Sequence, residues 1–208
     1  MRAKKGSAFE REISKRLSLW WTEGVREDVF WRSAGSGSRA TTRAKQGKTT
    51  HGSYGDIATL DPIGDPLLEM FTIELKRGNT IKDPWDLVDE LPGRRSKPQK
   101  FEEALEQVVT SQRQAGSLYW MLLCKKDGRV PMVYVPRRFV SDYYKYSRDM
   151  NRLHPTASFK LLIRFTEGVH EMSFCAFPLE EFLDAVVPGE IVEVNRHLRR
   201  RMSKKNKN

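Results

Sequence analysis

Gly55-Asp56-Ile57-Ala58, followed after a short interval by Phe71-Thr72-Ile73-Glu74-Leu75-Lys76, is the stretch whose reading decides the fold. Successive side chains of a strand alternate sides, so Phe71, Ile73 and Leu75 share one face and Thr72, Glu74 and Lys76 the other. The first set is core-forming. The second places an acid and a base two residues apart, where a strand built only for packing would carry β-formers. Between the segments, Asp61-Pro62-Ile63-Gly64-Asp65-Pro66 combines two prolines with a glycine and predicts a turn, hence an antiparallel hairpin. Such a hairpin returns Asp56 to the side of Glu74 and Lys76. Two carboxylates and an ammonium at one end of a small sheet are what phosphoryl chemistry with Mg²⁺ asks for, since that ion takes oxygen ligands and keeps places for water and phosphate. The lysine would then orient the attacking water.

Asp56 with Glu74-Leu75-Lys76 resembles the Asp and Glu-x-Lys signature of the PD-(D/E)XK nucleases. The resemblance implies an α/β fold: a restriction-endonuclease-like α-β-β-β-α-β core with a mixed sheet flanked by helices, here with a C-terminal α+β extension. It implies Asp56, Glu74, the Leu75 carbonyl and Glu10 as metal ligands, with Mg²⁺ as the cofactor and Mn²⁺ able to substitute. It implies that Lys76 positions the attacking water and stabilises charge in an in-line displacement.

The remaining residues bear on this reading. The segment Ser7 to Trp21 predicts a helix with Phe9, Ile13, Leu17 and Trp20 or Trp21 on one stripe. Ser7 suits the N-cap and Glu10 its capping-box partner. Glu10 also lies along the buried stripe and would face the sheet, and Phe9-Glu10-Arg11 is similar to the first-helix context of these nucleases. Both roles stand. Val29 to Arg32 is a short β-like run entering Ser33-Ala34-Gly35-Ser36-Gly37-Ser38-Arg39, a glycine- and serine-rich stretch that lets backbone approach phosphate. From Arg32 it resembles the loop before the catalytic Asp in archaeal-type and phage Holliday-junction resolvases, lengthened here by a basic insertion up to Tyr54. Arg32, Ser36, Arg39, Arg43, Lys45 and Lys48 are candidate DNA contacts. Gly47-Lys48-Thr49 lacks the earlier glycine of a nucleotide-binding loop, Thr42 standing there.

Charge supports a polyanionic partner by its location. The segments 31–55 and 196–208 hold five and seven Lys/Arg and no acid; without those twelve, the remaining 25 of 37 basic residues face 27 acids. The excess of the +10 net charge thus sits in two short pieces, one of which runs into Asp56. Arg199, Arg200 and Arg201 make the second a candidate DNA grip, with a solvated tail as the alternative.

After Lys76, Asp83-Pro84-Trp85 starts a short helix to about Leu91, and a longer one is expected from Pro98 to Ala115 with Gly116 as the stop. Its stripe of Phe101, Leu105, Val108, Gln112 and Ala115 contains one polar member. Gln112 is either a site residue, as a glutamine or lysine of this helix is in several branches of the family, or the partner in a helix–sheet hydrogen bond. Leu118 to Cys124 predicts a central strand and Asp127-Gly128 a hairpin into Met132 to Val135. Arg137 to Met150 looks helical, Lys160 to Phe165 and Met172 to Phe177 look like strands, and Phe182-Leu183 lie in a last short helix. Tyr143, Tyr144 and Tyr146 are read as packing residues rather than base-stacking ones. Residues 1–136 form the expected nuclease core with an insertion at 77–97, 137–195 an elaboration of the same domain, and 196–208 a basic tail.

Composition, with 38% hydrophobic and 31% charged residues, suits one buried core. No apolar run reaches membrane-spanning length, so a cytoplasmic protein with no membrane partner is expected. Cys124 and Cys175 sit in apolar runs and are expected reduced; the four histidines show no metal-ligand spacing. The resemblance implies a metal-dependent DNA endonuclease leaving a 5′-phosphate, similar to a junction resolvase acting as a homodimer on branched DNA. A restriction, repair or exonuclease-type enzyme on the same core, and a non-catalytic basic nucleic-acid-binding protein, are the alternatives.

Overall fold

The structure, a computed structural model, describes residues 2–33, 54–81, 83–89, 97–147 and 153–205. Helix α1 spans Arg2–Trp21. It begins before Ser7, which lies inside the helix rather than capping it. Phe9, Ile13 and Leu17 are fully buried on its apolar stripe, each stabilising the fold by about 2 kcal/mol. Strand β1 (Phe30–Arg32) pairs antiparallel with β2 (Ile57–Thr59), setting Arg32 opposite Ile57.

The connection from β2 to β3 (Phe71–Arg77) corrects the expected hairpin. Pro62–Gly64 form a 3-10 turn and α2 spans Asp65–Met70. Each Asp-Pro pair starts a helical turn: the Asp61 side chain accepts from the Ile63 N–H, and Pro66 occupies the first turn of α2. β3 then opens a separate five-stranded sheet, ordered β3-β4-β5-β7-β6. A single backbone bond, from the Asp56 N–H to the Ile73 carbonyl at 2.8 Å, ties the start of β2 to β3.

β4 (Tyr119–Lys125) runs parallel to β3, with Glu74 level with Leu122, and α3 (Lys100–Ala115) makes the crossover. Gly116 ends α3 in the left-handed conformation, φ 70°. Before α3, the helical turn after Asp83 is a 3-10 segment, Pro84–Leu87, rather than a helix to Leu91. β5 (Met132–Pro136) returns antiparallel. α4 (Arg137–Tyr146) follows, then the hairpin of β6 (Ala157–Phe165) and β7 (Gly168–Pro178), which joins the sheet through β5. α5 (Leu179–Ala185) is not the last helix. α6 (Pro188–Lys205) runs through residue 196, so the basic segment is helical as far as Lys205.

The sheet is covered on both faces. α1, α4, α5 and α6 pack on one through Ile13, Phe139, Phe182 and Val194; α3 packs on the other through Phe101, Leu105 and Val108 against Trp120, Leu122 and Phe174. This is the α/β arrangement expected of the core, its α1-β1-β2-β3-α3-β4 order carrying the short α2 between β2 and β3. The buried cysteines are free thiols, and burial pushes Cys124 up to about 12. Tyr143 is a core residue and Tyr144 donates its hydroxyl to the Leu153 carbonyl. Among the described residues no helix is long and apolar enough to cross a membrane.

Candidate active site

Strand alternation puts Phe71, Ile73 and Leu75 into the core under α1 and turns Thr72, Glu74 and Lys76 toward α3. Glu74 is therefore a buried carboxylate, 1% exposed. Its Oε1 lies 2.6 Å from the Lys76 ammonium and accepts from Gln107 Nε2 at 2.5 Å, while Lys76 Nζ also donates to Gln107 Oε1 at 2.8 Å. Carboxylate, ammonium and amide thus close a three-membered ring of hydrogen bonds that fixes all three rotamers.

Asp56 reaches the same place from β2. Its Oδ2 accepts the Leu75 N–H at 2.8 Å, so strand β3 supplies both an anchoring carbonyl and a donor to this side chain. Ser33 secures the other side: its N–H donates to the Asp56 carbonyl at 2.8 Å and its hydroxyl to the Gly55 carbonyl at 2.7 Å. Gly55 has φ +79°, and a Cβ there would meet the Ile73 carbonyl oxygen at 2.5 Å. Only glycine allows the chain to pass so close to β3.

Burial, and secondarily repulsion from Glu74, pushes the Asp56 carboxyl up to about 7. The Leu75 N–H and Lys76 pull it down by less. Two carboxylates this close and this dry favour a cation between them. Both are hard oxygen donors; among the described residues no group of three or more His, Cys, Asp or Glu surrounds a common point, so water and substrate oxygens would complete the shell. The Asp56–Glu74 pair therefore fits a divalent cation of the Mg²⁺ class.

The expected residues divide. Asp56, Glu74 and Lys76 come together. Leu75 contributes its N–H to Asp56. Glu10, 17% exposed in its side chain, faces Arg32, whose Nε lies 3.1 Å from its Oε2; that pair borders the site through the Arg32–Ile57 register. Gln112 stands elsewhere, donating to the Ser117 carbonyl while the Ser117 and Thr72 hydroxyls bond at 2.7 Å. The glutamine at Glu74 is Gln107, and the crossover geometry explains the difference. α3 runs back toward the start of β3, so stepping from Thr72 to Glu74, roughly 7 Å, corresponds to retreating about five residues along the helix. Ser36, Arg39, Arg43, Lys45 and Lys48 lie outside the described residues. Arg199 turns inward, with Nε 3.2 Å from Glu69 Oε2 and 3.0 Å from Asn195 Oδ1, whereas Arg200 and Arg201 stay exposed.

A family model described as "Phage putative PDDEXK endonuclease" matches residues 1–193. No curated protein and no solved structure matches the chain. The match takes in α1, Asp56, the Glu74-Leu75-Lys76 strand and α3 together, and covers nearly the whole sequence: the chain belongs to the phage PD-(D/E)XK endonuclease family.

Proposed function

We propose that the protein is a Mg²⁺-dependent endodeoxyribonuclease, resembling a Holliday-junction resolvase in choosing branched substrates and in working as a homodimer. The observation that supports it is the junction of Asp56 and Glu74 beside a lysine held by two acceptors. Asp56 and Glu74 hold the cation, with the Leu75 carbonyl and Glu10 as further ligands, directly or through water. When bound, it supplies Lewis acidity toward the scissile phosphate and makes water easier to deprotonate. Lys76 orients the attacking water and faces the charge developing on the phosphate oxygens. Gln107 keeps Lys76 and Glu74 in register, so neither side chain searches other rotamers during the reaction. Water adds to phosphorus in line as the 3′ oxygen departs, leaving a 5′-phosphate. Arg32 and the basic stretch that follows, with Ser36, Arg39, Arg43, Lys45 and Lys48, grip the backbone next to Asp56.

Supercoiled plasmid and a four-way junction test the reading together. Wild-type protein nicks plasmid in Mg²⁺ and not in EDTA, Glu74→Gln nicks it in neither, and the junction is bound more tightly than linear duplex of the same sequence and cut symmetrically. No cutting in Mg²⁺ or Mn²⁺ would leave a DNA-binding protein. Equal affinity with random nicking would keep the nuclease and remove the resolvase preference.

A further inference from the structure

The last turn of α4 and the second half of α6 carry a basic surface organised around one ring. Tyr146 stacks on His197 with centroids 4.2 Å apart and a 27° tilt. Arg201 donates to the Tyr146 hydroxyl and lies 5.9 Å from its ring centroid, and Lys145 Nζ approaches the same ring at 5.4 Å. Beside it, Tyr146, His197, Arg196 and Arg200 line a hollow of about 200 Å³ together with Glu190 and Glu193. Glu193 is matched by Arg196 at 2.6 Å. Among the described residues no carboxylate lies within ion-pair distance of Lys145, Arg200, Arg201 or Lys204, and all four are exposed. Four cations held together repel one another unless a polyanion covers them.

We propose that this α4–α6 face is a second binding surface for the phosphate backbone of the DNA substrate, set apart from the cleavage site; it rests on the nuclease reading and extends it. Arg199 fixes the distance. Through Glu69 it ties α6 to the residues just before β3, while Lys76 lies near the other end of that strand. Five strand residues rise about 17 Å. Duplex DNA advances about 34 Å per turn, and α6 and Lys76 lie on opposite faces of the sheet, so the face meets phosphates at least about half a turn, roughly five base pairs or more, from the scissile bond. The tyrosine ring, stacked on the imidazole, holds Arg201, while Arg200 and Lys204 are exposed on the helix. Arg199, consumed by Glu69 and Asn195, is a tether and not a phosphate ligand.

The test is the triple variant Lys145→Glu, Arg200→Glu, Lys204→Glu, compared with wild type for binding to a fluorescent linear duplex in Ca²⁺. Anisotropy titrations across a salt series give the slope of log affinity against log salt, and circular dichroism verifies that the variant is folded. Loss of three phosphate contacts flattens the slope by roughly 3. Wild type also loses affinity when the duplex on one side of the cleavage position is trimmed below about five base pairs, and the variant does not. An unchanged slope, or equal sensitivity to trimming, overturns the proposal. Cleavage of plasmid in Mg²⁺ by the same preparations is read separately: if wild type does not cut, the nuclease reading fails while the slope comparison still decides whether this face binds phosphate.

Discussion

Replacing Asp56 with asparagine should make the metal-free protein more stable, while removing its activity. The carboxyl stands at about 7 in the folded chain against an ordinary 3.8, because it is buried next to Glu74. An acid with a raised folded value destabilises the fold when ionised. Below about pH 4 Asp56 is protonated in both states and has no effect; as pH rises the unfolded chain releases its proton first, and stability falls until about pH 7, above which the whole penalty is present. The gap corresponds to about 4 kcal/mol, and relaxation of the surroundings about the ionised pair brings it to about 2–4 kcal/mol. Asparagine does not titrate and keeps an oxygen for the Leu75 N–H, so the penalty disappears. For a chain of this size 1 kcal/mol moves Tm by about 2–4 °C, so Asp56→Asn in EDTA at about pH 8 should melt at least roughly 4 °C above wild type. At about pH 4 the two should coincide. Mg²⁺ should then raise the wild-type Tm at pH 8 more than at pH 6, because binding requires the ionised carboxylate, and should leave the variant unmoved. Thermal unfolding by circular dichroism across that pH range measures all three. A variant less stable than wild type at pH 8 in EDTA, or a difference independent of pH, would refute the placement of Asp56 in a dry site beside a second carboxylate.

Gln107→Ala should lower kcat at least about tenfold with little change in Tm, since it frees Lys76 and Glu74 rather than emptying the core, whereas Gln112→Ala should leave kcat near wild type and lower stability by about 1 kcal/mol through the Ser117 carbonyl. Lys76→Ala should reduce cleavage several-fold or more without weakening DNA binding in Ca²⁺. Gly55→Ala forces a Cβ against the Ile73 carbonyl at a positive φ, so it should abolish cleavage and lower Tm, and a soluble, active Gly55→Ala enzyme would contradict the close approach of β2 to β3. Arg199→Ala should lower Tm by loosening α6 from α2, in contrast to substitutions at Arg200, which should leave Tm within a degree or two.

The strand reading of 71–76 was legible because alternation is strict there: three apolar residues enter one core and Glu74 and Lys76 emerge together on the other face. The β6–β7 hairpin was legible for a similar reason, with Gly168 at φ 148° supplying its turn. Where prolines decide, the sequence reads two ways. Asp61-Pro62 and Asp65-Pro66 signal turns when taken as breakers and helix starts when taken as cap and first residue, and here the second physics prevails, so Asp56 reaches Glu74 through one backbone hydrogen bond instead of through a hairpin. Pro188-Gly189 hid α6 in the same way. Its anchors Ile191, Val194 and Leu198 fall at helical spacing, yet the basic residues around them make the segment look like a solvated tail.

What the sequence shows least is which charges are already used. Arg199, Arg200 and Arg201 are three identical letters in a row, but a helix turns about 100° per residue, which sends them in three directions. One meets Glu69 and Asn195, one points to solvent and one meets Tyr146. The same sorting separates Arg32, held by Glu10, from a simple member of a basic run. Any anion approaching Arg32 has to compete with a carboxylate already 3.1 Å from its Nε. Net charge sets how strongly the protein attracts a polyanion; the ion pairs that only the folded chain reveals set where it is held.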